Sequence, residues 1–207
     1  MDARTFFTHW CDFIDADILT CWDIPKEWTR RTIGAAKSAK EESPFAERLL
    51  RVAGGNLSRY WKEERGFDLV LAMSDNFSTT APDADRKDFY PVTHDVVIEQ
   101  EAAAGSSWVE MVKLVRTRAR LKVLITYTWD VPREKKERQE SDVLVNETRA
   151  RFQRTIREAA QDWGEDPRTR YLLIIGQKVE QNVGWYFQEF NTMGEFLPGE
   201  EWIKNAQ

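Results

Sequence analysis

The sequence has little of what marks secreted and membrane-spanning proteins. Its 207 residues include two cysteines, Cys11 and Cys21. A chain of this size does not depend on a single disulfide, so we expect reduced thiols and a cytoplasmic protein. No apolar run approaches the roughly 20 residues that a membrane-spanning helix needs, and we therefore expect no membrane partner. The acidic, interrupted N-terminus is also unlike a secretory signal.

Basic charge is scarce as well. The formal net charge is -5 and the isoelectric point is about 5.3, which argues against a protein that coats nucleic acid by charge alone. One stretch departs from this average, because nine Lys and Arg stand against three acids between Lys113 and Arg138. That stretch is interpreted either as a surface that contacts phosphates or as a solvated helix face and loop.

What the chain does have is enough apolar sequence for a large core. Hydrophobic residues make up 42% and charged residues 31%, as in globular proteins. The nine Trp residues indicate either extensive aromatic packing or an aromatic surface that meets a partner. We predict a helical N-terminal extension over residues 1–43 and a single α/β domain over residues 44–207.

The clearest local patterns lie between residues 94 and 129. Residues 94–101 alternate between apolar and polar positions and predict a strand. Residues 107–120 predict an amphipathic helix with a buried stripe at helical spacing, formed by Trp108, Met111, Val112 and Val115. Residues 121–129 are apolar on both faces, which is typical of a strand in the middle of a covered sheet.

The remaining elements complete a mixed pattern. Ser43 and Pro44, with Glu47 in the first turn, predict the start of a helix, which residues 57–66 are expected to resume. Strands are predicted at 67–73, 89–92, 170–177 and 184–190, and a helix at 142–163. The order from Pro44 is therefore α-β-β-β-α-β followed by α-β-β. It predicts a mixed β-sheet flanked by helices.

The acids of the 94–101 strand are the best candidates for metal chemistry. Asp95, Glu99 and Glu101 share one face with Val97, whereas Val96 and Ile98 occupy the other. Two carboxylates at i and i+2 can converge on one cation, and oxygen ligands of this kind suit Mg²⁺. A bound Mg²⁺ can acidify a water molecule and stabilise the charge that develops at a phosphodiester.

Residues 44–129 resemble the PD-(D/E)XK nuclease superfamily, the restriction-endonuclease-like fold. The likeness rests on the α-β-β-β-α-β order and on the acids near the second and third strands. It implies a Mg²⁺- or Mn²⁺-dependent endonuclease that hydrolyses DNA. The metal ligands would be Glu99 and Glu101 with Asp88 or Asp95.

The family pattern places Glu-x-Lys on the third strand, where this sequence has Glu99-Gln100-Glu101. Some members of the superfamily carry Glu-x-Glu, and others supply the Lys from the following helix. The resemblance then assigns Lys113, with Glu110 beside it, to the catalytic group that contains Glu99 and Glu101. In some members an acid of the first core helix joins the site, and Glu47 is the residue available here.

Two alternatives remain open at this level. Glu99 and Glu101 also fit a solvated strand face, and Glu110 with Lys113 fits a surface ion pair at i,i+3 spacing. A chain with this fold and no catalysis would act as a binding or regulatory protein, with a second copy of itself or another protein as partner. Glu101 in place of the expected Lys favours this second interpretation.

Overall fold

One mixed β-sheet organises the molecule. The computed structural model describes residues 1–14, 32, 43–53, 59–64, 67–72, 94–101, 104–128, 135–162, 164–179, 182–197 and 202–205. Within these residues seven strands lie side by side in chain order: β1 (Arg59–Glu64), β2 (Phe67–Ala72), β3 (His94–Glu101), β4 (Ala119–Thr128), β5 (Arg170–Val179), β6 (Asn182–Phe190) and β7 (Trp202–Asn205). Strand β4 is parallel to β3 and β5, and the other neighbouring pairs are antiparallel. The predicted mixed sheet is confirmed.

Helices cover both faces of this sheet. The described helices are α1 (Ala3–Phe13), α2 (Pro44–Val52), α3 (Trp108–Val115) and α4 (Lys135–Asp162). Parallel neighbours need a crossover connection; α3 connects β3 to β4, and α4 connects β4 to β5. Helices α1 and α2 pack on one face, and α3 and α4 on the other. None of the described helices is both long and apolar enough to cross a membrane.

The face beneath α1 and α2 is filled with aromatic rings. Trp10 of α1 lies edge-on to Phe45 of α2 and to Trp185 of β6, with ring centroids 5.0 Å and 5.5 Å apart. Phe7 lies 4.6 Å from Phe187. None of the five side chains is more than 5% exposed. Because each such ring removes about 150–250 Å² from water on burial, this cluster is a main source of stability, and it joins α1 to the core of the domain.

The face beneath α3 and α4 combines an apolar core with buried charge. Its apolar side chains come from both helices and from the central strands, and they include Met111, Leu114, Phe152, Ile156, Val97, Leu124 and Leu173. Lys122 of β4 is fully buried among them. Its ammonium donates hydrogen bonds to Glu165 and, over 3.0 Å, to the Tyr171 hydroxyl, which in turn donates to Glu165. Burial lowers the pKa of Lys122 and raises that of Tyr171.

Helices α2 and α3 both start close to the predicted residues, but a side chain caps only the first of them. The Ser43 hydroxyl accepts from the Ala46 N–H over 3.2 Å, with Pro44 in the first turn. Ser107 holds the N-cap position of α3, but its side chain does not cap the helix. Its hydroxyl donates instead to the Ala104 carbonyl over 2.8 Å, so it stabilises the turn that connects β3 to α3.

Several element boundaries differ from the prediction. Residues 57–66, expected to be helical, contain strand β1, which pairs only with β2 among the described strands. Tyr60 and Trp61 were interpreted as a continuation of the preceding helix, but they belong to this strand. Its other residues are charged, as is typical of edge strands, where charge discourages pairing with other chains. Helix α3 was predicted to extend to residue 120, but it ends at Val115 and β4 begins at Ala119. Helix α4 begins at Lys135, seven residues before its predicted start. The predicted strand at 89–92 lies outside the described residues.

Trp108 is also not a core residue. Its side chain is 56% exposed, although the predicted stripe included it. The buried stripe of α3 consists of Met111, Leu114 and Val115. Trp108 is the first residue of the helix, so its side chain lies before the turn that packs on the sheet.

Candidate functional site

The two faces of β3 meet different layers of the protein. Val96 and Ile98 pack in the core beneath α1 and α2, whereas Val97 packs in the core beneath α3 and α4. The predicted parity of the strand is therefore confirmed. Glu99 shares the side of Val97, because alternate residues of a strand point the same way. Its carboxylate lies beneath α3.

Glu99 is a buried acid with a cationic partner. Its residue is 1% exposed, and the Lys113 ammonium donates to Glu99 Oε1 over 2.9 Å. Lys113 also lies 3.3 Å from Glu110 Oε1, one turn earlier in α3, and its side chain is 37% exposed. Lys113 thus links a buried carboxylate to the surface. The Glu110–Lys113 pair was expected at the surface, and its contact with Glu99 extends it into the interior.

Asp68 of β2 is the acid that sequence reasoning missed. Leu69 pairs with Ile98 in the antiparallel β2–β3 ladder, so one further residue along each strand places Asp68 opposite Glu99. Asp68 Oδ2 accepts the backbone N–H of Gln100 over 2.6 Å. Its charge also acts on Glu99. Two acids on adjacent strands therefore face the same side of the sheet.

The electrostatics of Glu99 follow from this placement. Burial and, after it, the negative charge of Asp68 raise the pKa of Glu99 to about 8, although Lys113 opposes both effects. For Lys113, burial disfavours the ammonium, but the hydrogen bond and the charge of Glu99 outweigh it and raise the pKa of Lys113. An additional cation near a carboxyl with so high a pKa would stabilise its anionic form and lower the pKa.

Glu101 ends the same strand two residues further on. It is partly exposed, and its Oε1 accepts from the Ser106 hydroxyl over 3.2 Å. Alternation puts it on the side of Glu99. It lies at the edge of the sheet next to the turn that starts α3, whereas Glu99 lies beneath the helix.

The other predicted acids lie elsewhere. Asp95 is four residues before Glu99, roughly 13 Å along the strand, and its Oδ1 is 3.6 Å from Arg120 Nε. Glu47 belongs to α2, which covers the opposite face of the sheet. Asp88 lies outside the described residues. The structure therefore brings Glu99 together with Lys113 and Asp68, and it keeps Asp95 and Glu47 apart from them.

Asp68 and Glu99 are the residues of this site that could hold a metal ion. Among the described residues, no group of three or more acids, histidines or cysteines is arranged to hold a metal ion. Mg²⁺ is commonly bound by one or two carboxylates, with waters and substrate phosphates completing its shell. Asp68 and Glu99 supply such a pair on neighbouring strands, and burial is the main cause of the raised pKa of Glu99.

A sequence signal for Asp68 existed. The β2 sequence is FDLVLA, and acids are depleted from strands of this apolar character. An Asp in such a strand, followed along the chain by a strand with Glu at a matching position, would have indicated a carboxylate pair.

Comparison with known proteins adds no family assignment. No protein-family model matches the sequence, and no curated protein matches it significantly.

Proposed function

We propose that the protein is a Mg²⁺-dependent endonuclease of restriction-endonuclease-like fold that hydrolyses phosphodiester bonds of DNA. One observation carries the proposal. Glu99 is a buried acid of raised pKa, opposite Asp68 on the neighbouring strand and 2.9 Å from the Lys113 ammonium. Two carboxylates can hold Mg²⁺ and a lysine beside them can stabilise the charge that develops in metal-assisted phosphodiester hydrolysis.

The element order supports the fold part of the proposal. From α2 onward the described elements run α2-β1-β2-β3-α3-β4, which is the order of the PD-(D/E)XK core. Asp68 is on the second strand of that order, Glu99 is on the third, and Lys113 is on the following helix. The arrangement is similar to members of the superfamily in which the lysine comes from the helix, and Asp68 takes the position for which Asp88 and Asp95 were considered.

Each residue then has a distinct role. Asp68 and Glu99 would hold Mg²⁺, which when bound supplies positive charge at the phosphate and acidifies a water molecule. Lys113 would position the attacking water or donate to a phosphate oxygen, because its ammonium lies between Glu99 and the surface. Glu110 keeps the lysine oriented. Glu101, at the edge of the site, would add negative charge near the metal.

Cleavage assays test the proposal directly. Single-stranded, double-stranded and branched DNA are incubated with the full chain in Mg²⁺ and in Mn²⁺. We expect cleavage by the wild type and a loss of about 100-fold or more in Asp68→Asn, Glu99→Gln and Lys113→Met. Glu158→Gln, on an exposed position of α4, is the matched control and should keep full activity. A wild type that leaves every substrate intact in both metals overturns the proposal.

A second candidate is a binding or regulatory protein that has this fold without catalysis. The Glu99–Lys113 contact favours it, because the ion pair already satisfies the buried carboxylate without a metal. Calorimetry with Mg²⁺ and Mn²⁺ separates the two candidates. Binding that is lost in Asp68→Asn and Glu99→Gln favours the nuclease. The second candidate predicts no binding of either ion and no change of function in Glu101→Gln.

A further inference from the structure

A cleft of about 480 Å³ opens at the end of α3 that is remote from Glu99. Its walls are the segment 115–120, which joins α3 to β4, and the segment 164–169, which precedes β5. His94, the first residue of β3, also lines it. The cleft therefore lies beside the layer formed by α3 and α4, at the end of the sheet where β3, β4 and β5 begin.

Arginines dominate the lining of this cleft. Four of them contribute to it: Arg116, Arg118, Arg120 and Arg168. In a chain of net charge -5, such a concentration of guanidinium groups produces a local positive potential. A guanidinium is planar and presents paired N–H donors that match the oxygens of a phosphate.

The acids of the cleft do not cancel this charge. Asp166 is bound by Arg168, whose Nε and Nη2 lie 3.0 Å and 2.7 Å from its oxygens. Glu165 is held from beneath by the buried Lys122 and by the Tyr171 hydroxyl. Each acid is therefore neutralised by its own partner.

Two arginines remain in excess. Arg116 and Arg118 are exposed and form no ion pair within the part of the chain that the structure describes. Arg120 is shared with Asp95 at 3.6 Å, and its side chain is 65% exposed. The excess positive charge of the cleft therefore lies on the segment that follows α3.

The cleft lies at a useful distance from the candidate metal site. His94 is five residues before Glu99 on β3, which corresponds to roughly 16 Å at about 3.3 Å per residue. One DNA strand advances about 3.4 Å per nucleotide along the helix axis. A strand that crosses the Glu99–Lys113 site would therefore reach the cleft roughly four or five nucleotides away.

We propose that this cleft binds backbone phosphates of a nucleic-acid strand, with Arg116 and Arg118 as the principal contacts. The inference rests on the proposed function, because it supplies the same substrate with a second point of attachment. Its volume is large for a single phosphate ion, and its unbalanced arginines are exposed where a long ligand can reach them. Binding at this point would align the strand without reading its sequence.

Binding measurements in EDTA test the inference without cleavage. Fluorescence anisotropy follows labelled single-stranded and double-stranded oligonucleotides with the full chain over a range of salt concentrations. We expect Arg116→Ala/Arg118→Ala to weaken binding about 10-fold or more at low salt and to reduce the slope of log K against log salt by about 2. Arg4→Ala/Arg51→Ala removes the same charge from α1 and α2, on the other layer, and should leave both quantities nearly unchanged.

Three outcomes would overturn the inference. The two double variants could bind DNA equally well, or the wild type could fail to bind DNA at all. The wild type could also bind inorganic phosphate in calorimetry, with loss in the cleft variant, and yet not bind oligonucleotides, which would make the cleft a small-anion site. Failure of the proposed function has a different signature. Absence of Mg²⁺ binding and of cleavage, with oligonucleotide binding still dependent on Arg116 and Arg118, overturns the nuclease alone.

Discussion

The two faces of the sheet are built in opposite ways. Beneath α1 and α2 the contacts are aromatic and apolar, with Trp10 at their centre. Beneath α3 and α4 the core also encloses the charged side chains of Glu99 and Lys122, each paired with an opposite charge. The first arrangement gains stability from the apolar surface that it buries. The second gives up part of that gain, since desolvating a charge costs several kcal/mol before its partner compensates.

The two faces therefore differ in role: the apolar face mainly contributes stability, and the face with buried charges contains the candidate site. Buried charges that do not serve packing are candidates for function, and the two most deeply buried here, Glu99 and Lys122, differ in their access to solvent. Lys113 connects Glu99 to solvent, whereas Lys122 is fully enclosed. We therefore assign Glu99 to the candidate site. Lys122 is a structural group that fixes the segment containing Glu165.

Removal of the central ring of the apolar face should have the largest effect. Trp10→Ala is expected to lower the free energy of unfolding by about 3–5 kcal/mol, since the ring contacts both Phe45 and Trp185. The melting temperature should fall by roughly 2–4 °C per kcal/mol. Trp108→Ala, on the other layer and 56% exposed, is the control and should cost no more than about 0.5 kcal/mol. Equal losses in the two variants would contradict the contrast between the faces.

The buried lysine provides the next test. Lys122→Ala should cost about 2–4 kcal/mol in urea unfolding, because it leaves a cavity and takes from Glu165 its buried cation. Lys122→Met keeps most of the volume and leaves Glu165 the Tyr171 hydroxyl, so its loss should be about half as large. If Lys122→Met is as damaging as Lys122→Ala, the charge matters more than the packing at this position.

The pH dependence of stability reports on Glu99 in the absence of divalent cations. Folding raises its pKa from 4.5 to about 8, so the native state keeps a proton that the unfolded chain releases. The stability linked to that proton is complete below pH 4.5 and is lost as the pH rises through 8. Glu99→Gln should therefore become more stable relative to the wild type as the pH rises from 4.5 to 8, because the variant has no proton to lose. Urea midpoints from pH 5 to 9 measure it, with Glu158→Gln as the control.

The smallest effect on stability is expected for an ion pair that is exposed to water. Arg168 and Asp166 form a two-point ion pair whose side chains are 80% and 46% exposed. Exposed pairs contribute little to stability, so Arg168→Ala should leave the melting temperature unchanged within measurement error. A clear decrease would show that the segment 164–169 depends on this pair. Charged contacts on this face would then contribute to stability at the surface as well as in the core.

The fold was more predictable from the sequence than the site. The apolar run of β4 and the alternation of β3 determine where the central strands lie, because burial on one or two faces leaves a direct pattern. The edge strand β1 was mistaken for a helix. Its charged side chains reflect contact with solvent and avoidance of pairing with other chains, so they leave no strand pattern in the sequence. The spacing of Trp108 fits the apolar stripe of the helix, but spacing alone does not indicate which turn of the helix first contacts the sheet.

The site depends on pairing between strands, which a single sequence does not reveal. Glu99 was predicted from the alternation of its strand, and Lys113 from the resemblance to a known family. Asp68 was not predicted, since it lies 31 positions before Glu99 and the two meet only through the β2–β3 register. The metal ligation expected of Glu101 and Asp95 stays a prediction, and Asp95 lies with Arg120 at the cleft end of the strand.

The chain-order arrangement of the strands bears on how the protein is made. Each described strand pairs with the strands before and after it in the sequence, so we expect the sheet to grow from one edge to the other as the chain leaves the ribosome. Helix α1 precedes every described strand in the sequence, yet its Phe7 and Trp10 pack on Phe187 and Trp185 of β6. These two rings therefore gain their partners on the sheet only after β6 has been made, and until then Trp10 has Phe45 of α2 as its aromatic neighbour.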